Sequence, residues 1–85
     1  MEFHNGNLVK FFPNPTSELL NINFTKSFSG TLKVLNNQGA EIHSSFLKNK
    51  TNHDFDLSYL SDGAYFVILV NEKTGEVFSQ KIVKI

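Results

Sequence analysis

Apolar and polar side chains alternate with a period of two along most of this chain, and that pattern constrains the fold most. The stretch Leu20-Asn21-Ile22-Asn23-Phe24 alternates at every position, as expected for a strand with one buried and one exposed face. The 3.6-residue spacing of an amphipathic helix is almost absent. Ten Asn, eight Ser and five Gly provide turn-forming residues between the apolar stretches. The pattern therefore predicts an all-β fold.

Short strand-like segments follow one another along the whole chain. Seven can be read, at residues 8–12, 20–24, 31–35, 40–47, 53–57, 65–70 and 77–85. Turn signals recur about every 8–12 residues, which is typical of an antiparallel β-sandwich of immunoglobulin-like type. Segment 65–70 is apolar on both faces and is therefore expected to be a central strand. We predict a sandwich of about seven strands.

The alternation also predicts which side chains form the core. The expected inward-facing residues are Leu20, Ile22, Phe24, Leu32, Val34, Ile42, Phe55 and Leu57, with Ser44 and Phe46 on the face of Ile42. Leu60 should plug into the core from the loop 58–63. His43 is one position out of phase with Ile42 and should face solvent, and His53 is also expected to face solvent. Gly39 and Gly75 are expected in turns with positive φ.

Composition excludes several function classes. A chain of 85 residues suffices for one small domain. The absence of Cys removes cysteine-ligated zinc sites and thiol nucleophiles. Eight Lys and no Arg balance eight acidic residues, so the net charge is zero. A chain of this composition is poorly suited to binding the phosphate backbone of nucleic acid. The longest apolar run, 64–70, is far shorter than the roughly 18–20 residues of a membrane helix, so no membrane span is expected.

The first residues differ from the rest of the chain. Residues 1–7 lack the basic start and apolar stretch of a signal peptide and are interpreted as a polar leader or linker. The folded domain is expected at residues 8–85.

Candidates for catalysis are few. His4, His43 and His53 show no metal-ligand spacing with the acidic residues. Asp54 and Asp56 share one strand face about 7 Å apart, but a flat, exposed strand has no pocket that would shift a pKa. No Ser lies in a nucleophile elbow. We predict that the chain is not an enzyme and binds no metal or cofactor.

Two prolines flank one asparagine directly after the first strand. In Pro13-Asn14-Pro15, the prolines have no N–H to donate to a sheet and hold the chain extended. The segment is expected to mark an edge or a crossover.

The last third of the chain holds two further specific features. In Gly63-Ala64-Tyr65, the glycine permits a sharp start of the central strand, and the tyrosine can bury its ring while its hydroxyl finds a backbone acceptor. The segment Lys81-Ile82-Val83-Lys84-Ile85 is expected to be a strand with Ile82 inward. It would present Lys81, Lys84 and the carboxylate of Ile85 to any protein that reads a chain end.

The order and spacing of these features resemble the type A C-terminal sorting domain of the type IX (Por) secretion system of Bacteroidota. The resemblance covers about Val9 to Ile85. It rests on Phe12-Pro13-Asn14-Pro15, the alternating strand 19–24, the hairpin from Val34 through Gly39 to Ile42, the D-L-S-x-L-x-x-G-x-Y block at 56–65, and Lys81 with Ile85.

The resemblance implies a transport signal carried by a larger cargo protein. Such domains follow an upstream cargo domain in the same chain, pass through the periplasm and are recognised by the outer-membrane translocon. A sortase usually removes them and joins the cargo to anionic lipopolysaccharide, so export to the cell surface or the medium is expected. The implied recognition residues are Pro13, Asn14, Pro15, Gly39, Gly63, Tyr65, Lys81, Lys84 and Ile85. The cut is expected upstream of Phe11, in residues 1–7 or in the cargo.

A binding module remains the alternative. An immunoglobulin-like or fibronectin-like accessory domain would hold a carbohydrate or a protein through clustered, exposed aromatic side chains. The sequence offers only Phe28, in the predicted loop 27–30, and Tyr59 for that role.

Overall fold

The structure, a computed structural model, describes residues 2–4 and 7–85, with side chains described from Val9 onward. These residues form strands and turns and no helix. The six strands are β1 (Glu2–His4), β2 (Asn7–Phe12), β3 (Leu19–Asn36), β4 (Glu41–Asp56), β5 (Gly63–Asn71) and β6 (Val77–Lys84). The side chain of His4 and the remaining leader positions Met1, Asn5 and Gly6 lie outside the described residues.

All strand pairs are antiparallel, and they form one curled sheet. The strand order is β1-β2-β3-β5-β6. Strand β2 and strand β5 pair with successive parts of one edge of β3, and β4 pairs with the opposite edge. The predicted all-β, antiparallel class is confirmed. The predicted number of seven strands is wrong, since there are five strands of six or more residues and one of three residues. The predicted sandwich is not confirmed, because these strands are hydrogen-bonded in a single sheet.

The difference in strand number has a physical cause. Segments 20–24 and 31–35 are parts of one strand, β3, and segments 40–47 and 53–57 belong to β4 except for their end residues 40 and 57. The pairing of β3 with β4 shifts in register on either side of Phe28, and it continues beyond both shifts. Such bulges bend a strand and increase its twist without ending it. The polar stretches that suggested loops are therefore bends within long strands.

Strand β3 connects the two halves of the sheet. Its first half pairs with β2, for example Ile22 with Phe11, and its second half pairs with β5, for example Val34 with Val67. Strand β4 follows its other edge along both halves. The curl of this shared strand lets both halves of the sheet enclose one hydrophobic core.

The centre of the core is aromatic. Phe28 is fully buried, stacks on Phe24 with ring centroids 4.7 Å apart, and meets Phe78 edge-on at 6.4 Å. Close packing continues at Gly30, where an added Cβ would lie 2.0 Å from the Val70 carbonyl oxygen. The prediction of a loop with an exposed Phe28 is therefore wrong, because the bulge turns this ring inward.

Most inward-facing positions were predicted correctly. Leu20, Ile22, Phe24, Leu32, Val34, Phe55 and Leu57 are buried, and Leu60 and Ile42 are partly buried against the core.

The first half of β4 is the exception. Ser45 lies opposite the buried Leu32, and Leu47 is buried in the place predicted for Phe46, which is 56% exposed. A register shift next to Glu41 moves the inward face of the strand by one residue. His43 consequently lies on the inward side, half-buried, with its ring centroid 4.8 Å from that of Phe55. The half-buried His53 lies opposite the buried Ile22, so neither histidine faces solvent as predicted.

The remaining turn and strand predictions hold. Strand β5 lies between β3 and β6, as a central strand. Gly39 and Gly75 have φ of 85° and 75°, the left-handed conformation that glycine adopts at low cost.

Candidate recognition site

The segment Pro13–Thr16, here called the clasp, lies along the outer edge of β6. The Asn14 side-chain amide donates to the Lys81 carbonyl oxygen at 3.1 Å and accepts from the Val83 N–H at 3.0 Å. Thr16 continues the ladder with backbone bonds, donating to the Val83 carbonyl and accepting from the Ile85 N–H, both at 2.9 Å. The clasp thus extends the sheet beyond β6 over the last residues of the chain.

The chemistry of the clasp follows from its sequence. Pro13 and Pro15 have no N–H and cannot form a regular ladder, and the peptide bonds that precede them are both cis. The Asn14 amide has one donor group and one acceptor, as a backbone residue has. Thr16 is buried, and its hydroxyl donates to the Leu19 carbonyl oxygen at 2.8 Å. A side chain therefore supplies the edge contacts that the prolines cannot make.

Residues of the last strand divide between the two faces of the sheet. Phe78 and Ile82 are buried, while Lys81 and Val83 are exposed and Ile85 is 63% exposed. The predicted inward position of Ile82 is confirmed. Because the Lys81 C=O, both backbone groups of Val83 and the Ile85 N–H are already bonded to the clasp, this part of β6 presents mainly side chains rather than a free strand edge.

The second lysine of the segment has a different environment. Lys84 Nζ donates to the Leu60 carbonyl oxygen at 3.0 Å and lies 3.7 Å from the Asp62 carboxylate, and its side chain is 11% exposed. The ammonium group thus ties β6 to the turn 57–62. Lys84 was predicted to offer its charge to a recognising protein, but the structure shows that charge engaged within the domain.

The start of β5 completes this end of the molecule. Tyr65 is buried opposite Ile82, and its hydroxyl donates to the Ser61 carbonyl oxygen at 2.7 Å. The predicted backbone acceptor is confirmed. Gly63 lies opposite Lys84 with φ of 151°, a conformation that strains other residues. Both residues hold the turn 57–62 against β6.

Gly39 lies apart from the other predicted residues. It belongs to the β3–β4 turn, where its N–H donates to the Asn36 carbonyl oxygen at 3.0 Å and the Asn36 side chain accepts from the N–H groups of Gln38 and Ala40. Asn36 lies opposite Tyr65. The turn is thus linked to the site through β5, and not through a hydrogen bond with the clasp.

Sequence reasoning missed the residues that join these pieces. Thr16, Ser61 and Asp62 were not singled out, although each contacts a predicted residue or β6. Leu60 was predicted as a core residue, but its backbone bond with Lys84 was not. The one signal for the clasp was an asparagine between two residues that lack an N–H. Exposed apolar side chains also flank the clasp at Phe12 and Leu19.

The groups considered for catalysis do not assemble into a site. Among the side chains from Val9 onward, no group of three His, Cys, Asp or Glu residues could hold a metal ion. Asp54 and Asp56 are exposed as predicted. The Ser58 backbone N–H donates to Asp56 at 2.8 Å and lowers the pKa of that carboxyl. Partial burial lowers the pKa of His53, Lys50 lowers it further, and the Asp54 carboxylate opposes the change.

Two hollows on the described surface lie away from these groups. One of about 300 Å³ is lined by Lys10, Asn23, Phe24 and Thr25. The other, of about 150 Å³, is lined by Ser27, Ser29, Asn49, Asn71 and Lys73. Their lining residues include no acid or histidine. The described residues also contain no helix of the length and apolarity needed to cross a membrane.

The protein-family model of the secretion system C-terminal sorting domain matches residues 10–85 of the sequence. These residues include the clasp and all of β6. A comparison with curated proteins returns no match. The matched family is not an enzyme class. Its domain is the sorting signal of type IX secretion, attached to a cargo, recognised by the type IX machinery, and directing export to the cell surface or the extracellular space. The chain belongs to the type IX secretion C-terminal sorting domain family.

Proposed function

We propose that the type IX translocon reads this cargo-attached signal as a folded surface made of the clasp and the exposed side chains of Lys81, Val83 and Ile85. One observation carries the proposal: the Asn14 amide bonds both to Lys81 and to Val83. Asn14 thereby forms one surface with Lys81 and Val83, which lie 67 and 69 residues further along the sequence. The translocon and the outer-membrane sortase machinery are the partners in this proposal.

The surface combines apolar contact with one available positive charge. Phe12, Leu19, Val83 and Ile85 expose apolar side chains on or beside the clasp and β6. Lys81 is exposed, whereas the Lys84 ammonium is held by Leu60 and Asp62. Apolar contacts in the centre and a charge at the margin suit recognition of a protein. Lys84, Gly63 and Tyr65 then act by holding the surface in shape, and Gly39 by closing the hairpin beside β5.

A secretion assay tests the surface. Residues 1–85 are fused to the C-terminus of a periplasmic reporter in a bacterium with type IX secretion, and the reporter is measured in the periplasm, on the surface and in the medium. We expect the wild-type fusion to be exported and a fusion lacking residues 81–85 to remain in the periplasm. Lys81→Glu should reduce export while leaving the thermal midpoint of the isolated domain unchanged, because the exposed Lys81 ammonium forms no hydrogen bond or ion pair with the residues from Val9 onward.

Lys73→Glu is the matched control. Lys73 is an exposed lysine of the β5–β6 turn, remote from the clasp in sequence, so the same charge reversal should leave export at the wild-type level. Full export of the fusion that lacks residues 81–85, or equal export of the Lys81 and Lys73 variants, contradicts a surface centred on β6.

The sortase step is the second part of the proposal. The domain is removed by cleavage upstream of Phe11, and the cargo is joined to anionic lipopolysaccharide or released. The start of the family match at residue 10 supports a boundary there. Mass spectrometry of the C-terminal peptide of exported cargo checks this placement. A cargo peptide that continues past Pro15 would show that the cut lies inside the folded domain.

A further inference from the structure

Strand β4 has a long open edge. It contains 16 residues and pairs with β3 along one side. On its other side no strand among residues 2–4 and 7–85 pairs with it. An unpaired edge of this length presents a row of backbone donors and acceptors, which is a template for another strand.

The outward backbone groups can be identified from the ladder. The Leu57 N–H donates to the Glu18 carbonyl oxygen at 2.7 Å, toward β3. Backbone groups alternate in direction along an antiparallel strand, and Leu19 to Asn23 pair with Asp56 to Asn52 without a register shift. Asn52, Asp54 and Asp56 therefore direct their N–H and C=O groups away from β3.

The charges along this edge are complementary to themselves. Two lysines, Lys48 and Lys50, precede Asn52, and two aspartates, Asp54 and Asp56, follow it at the same distances. A two-fold axis at Asn52 places Lys50 opposite Asp54 on both sides of the axis, giving two opposite-charge pairs. Lys48 and Asp56 are equally far from the axis, but Asn49, with φ of 51°, and the register shift beside it interrupt the regular strand before Lys48. An axis at Thr51 would leave Lys50 opposite Asn52, and an axis at His53 would leave Asp54 opposite Asn52, so the axis at Asn52 is the one that pairs these two charges with each other. Opposite charges directly across a strand pair stabilise it, and like charges destabilise it.

The side chains at the centre are already held in position. Asn21 Nδ2 donates to Asn52 at 2.7 Å and to Asp54 at 2.6 Å. Asp54 keeps further acceptor capacity, because a carboxylate accepts several hydrogen bonds. Lys50 is exposed, and it forms no ion pair with any side chain from Val9 onward.

We propose that two copies of this domain associate through β4, antiparallel, with the two-fold axis at Asn52. The sheets of both copies then form one continuous sheet. Since β4 and β6 lie at different edges of each sheet, the clasp remains accessible in the pair. A single strand pair buries less than the roughly 1,200 Å² of a standard stable interface, so the dimer is weak, with a dissociation constant on the order of 0.1–1 mM.

A single introduced cysteine tests the register. The chain has no Cys, and residues of a hydrogen-bonded antiparallel pair lie about 5.5 Å apart at Cα, within the range of a disulfide. We expect Asn52→Cys to form a covalent dimer under mild oxidation, and Lys73→Cys, the control, to remain largely monomeric. Equal crosslinking of both variants, or none of Asn52→Cys, overturns the proposed register.

Charge reversal tests the same contact without crosslinking. Lys50→Asp and Asp54→Lys each place like charges opposite each other, and each should weaken self-association about tenfold or more in sedimentation equilibrium. An equimolar mixture of the two variants restores both opposite-charge pairs and should associate at least as well as the wild type, with Lys73→Asp unaffected. Circular dichroism confirms that each variant is folded. A wild type that stays monomeric at millimolar concentration, or a mixture that does not associate, refutes the dimer.

Discussion

Two of the outer edges of the sheet, at β6 and at β4, differ in whether another segment covers them. The last residues of β6 are covered by the clasp, whose Asn14 amide and Thr16 backbone bond to the outward groups of that strand. Strand β4 is longer and has charged side chains but no covering segment among the described residues. A covered edge presents side chains to its surroundings, whereas an open edge presents its backbone.

This difference separates two kinds of recognition within one small domain. A protein that bound the covered part of β6 would meet the exposed side chains of Lys81, Val83 and Ile85, because most outward backbone groups there are bonded to the clasp. A strand that meets β4 finds free donors and acceptors and a charge pattern that selects its register. The covered edge therefore suits a specific receptor, and the open edge suits a second strand.

The largest expected difference in the free energy of unfolding is between variants that lack the side-chain amide of Asn14 and of Asn52. Asn14→Ala deletes both side-chain hydrogen bonds to β6 and should lower the free energy of unfolding by about 1–3 kcal/mol. Asn52→Ala on β4 removes one exposed side-chain contact with Asn21 and should cost about 0.5 kcal/mol or less. Urea unfolding of the isolated domain measures both values. Equal losses would mean that the clasp does not stabilise its edge.

The clasp was beyond prediction from sequence for a clear reason. The sequence showed that Pro13 and Pro15 cannot donate hydrogen bonds, but not which strand Asn14 contacts, since its acceptor and donor lie 67 and 69 residues away. For Tyr65 the sequence predicted a buried ring and a backbone acceptor for the hydroxyl, and the acceptor, the Ser61 carbonyl, is only four residues away. Local chemistry is thus readable from the sequence, and long-range edge contacts are not.

The inward-facing residues of β4 show a second limit of prediction from the sequence. Alternation predicts inward residues well as long as the register is unbroken, as in Leu20, Ile22 and Phe24. One register shift near the β3–β4 turn moves the inward face by a residue, so that Leu47 is buried and Phe46 is not. Because a bulge depends on the pairing of two strands, neither strand's sequence reveals it alone.

Two lysines three residues apart give the next contrast. Lys84→Met removes a charge-assisted hydrogen bond to the Leu60 carbonyl and should destabilise the domain by about 1–2 kcal/mol. Lys81→Met changes an exposed side chain and should stay within about 0.5 kcal/mol of the wild type. Thermal unfolding monitored by circular dichroism compares them. A larger loss for Lys81 than for Lys84 would reverse the roles assigned to the two residues.

Acidification should have the smallest effect on the stability of the domain. The effect should arise from His53 in β4 and not from β6. Burial holds the pKa of His53 below its ordinary value of 6.5, so the unfolded chain binds the proton more readily than the folded domain does. The contribution of His53 to stability is therefore complete above pH 6.5 and decreases as the pH falls below that value. Strand β6 contains no histidine. His53→Gln should unfold with a weaker dependence on pH than the wild type between neutral pH and pH 5, measured as the thermal midpoint across that range. If both proteins lose stability in parallel on acidification, the titration of His53 does not contribute.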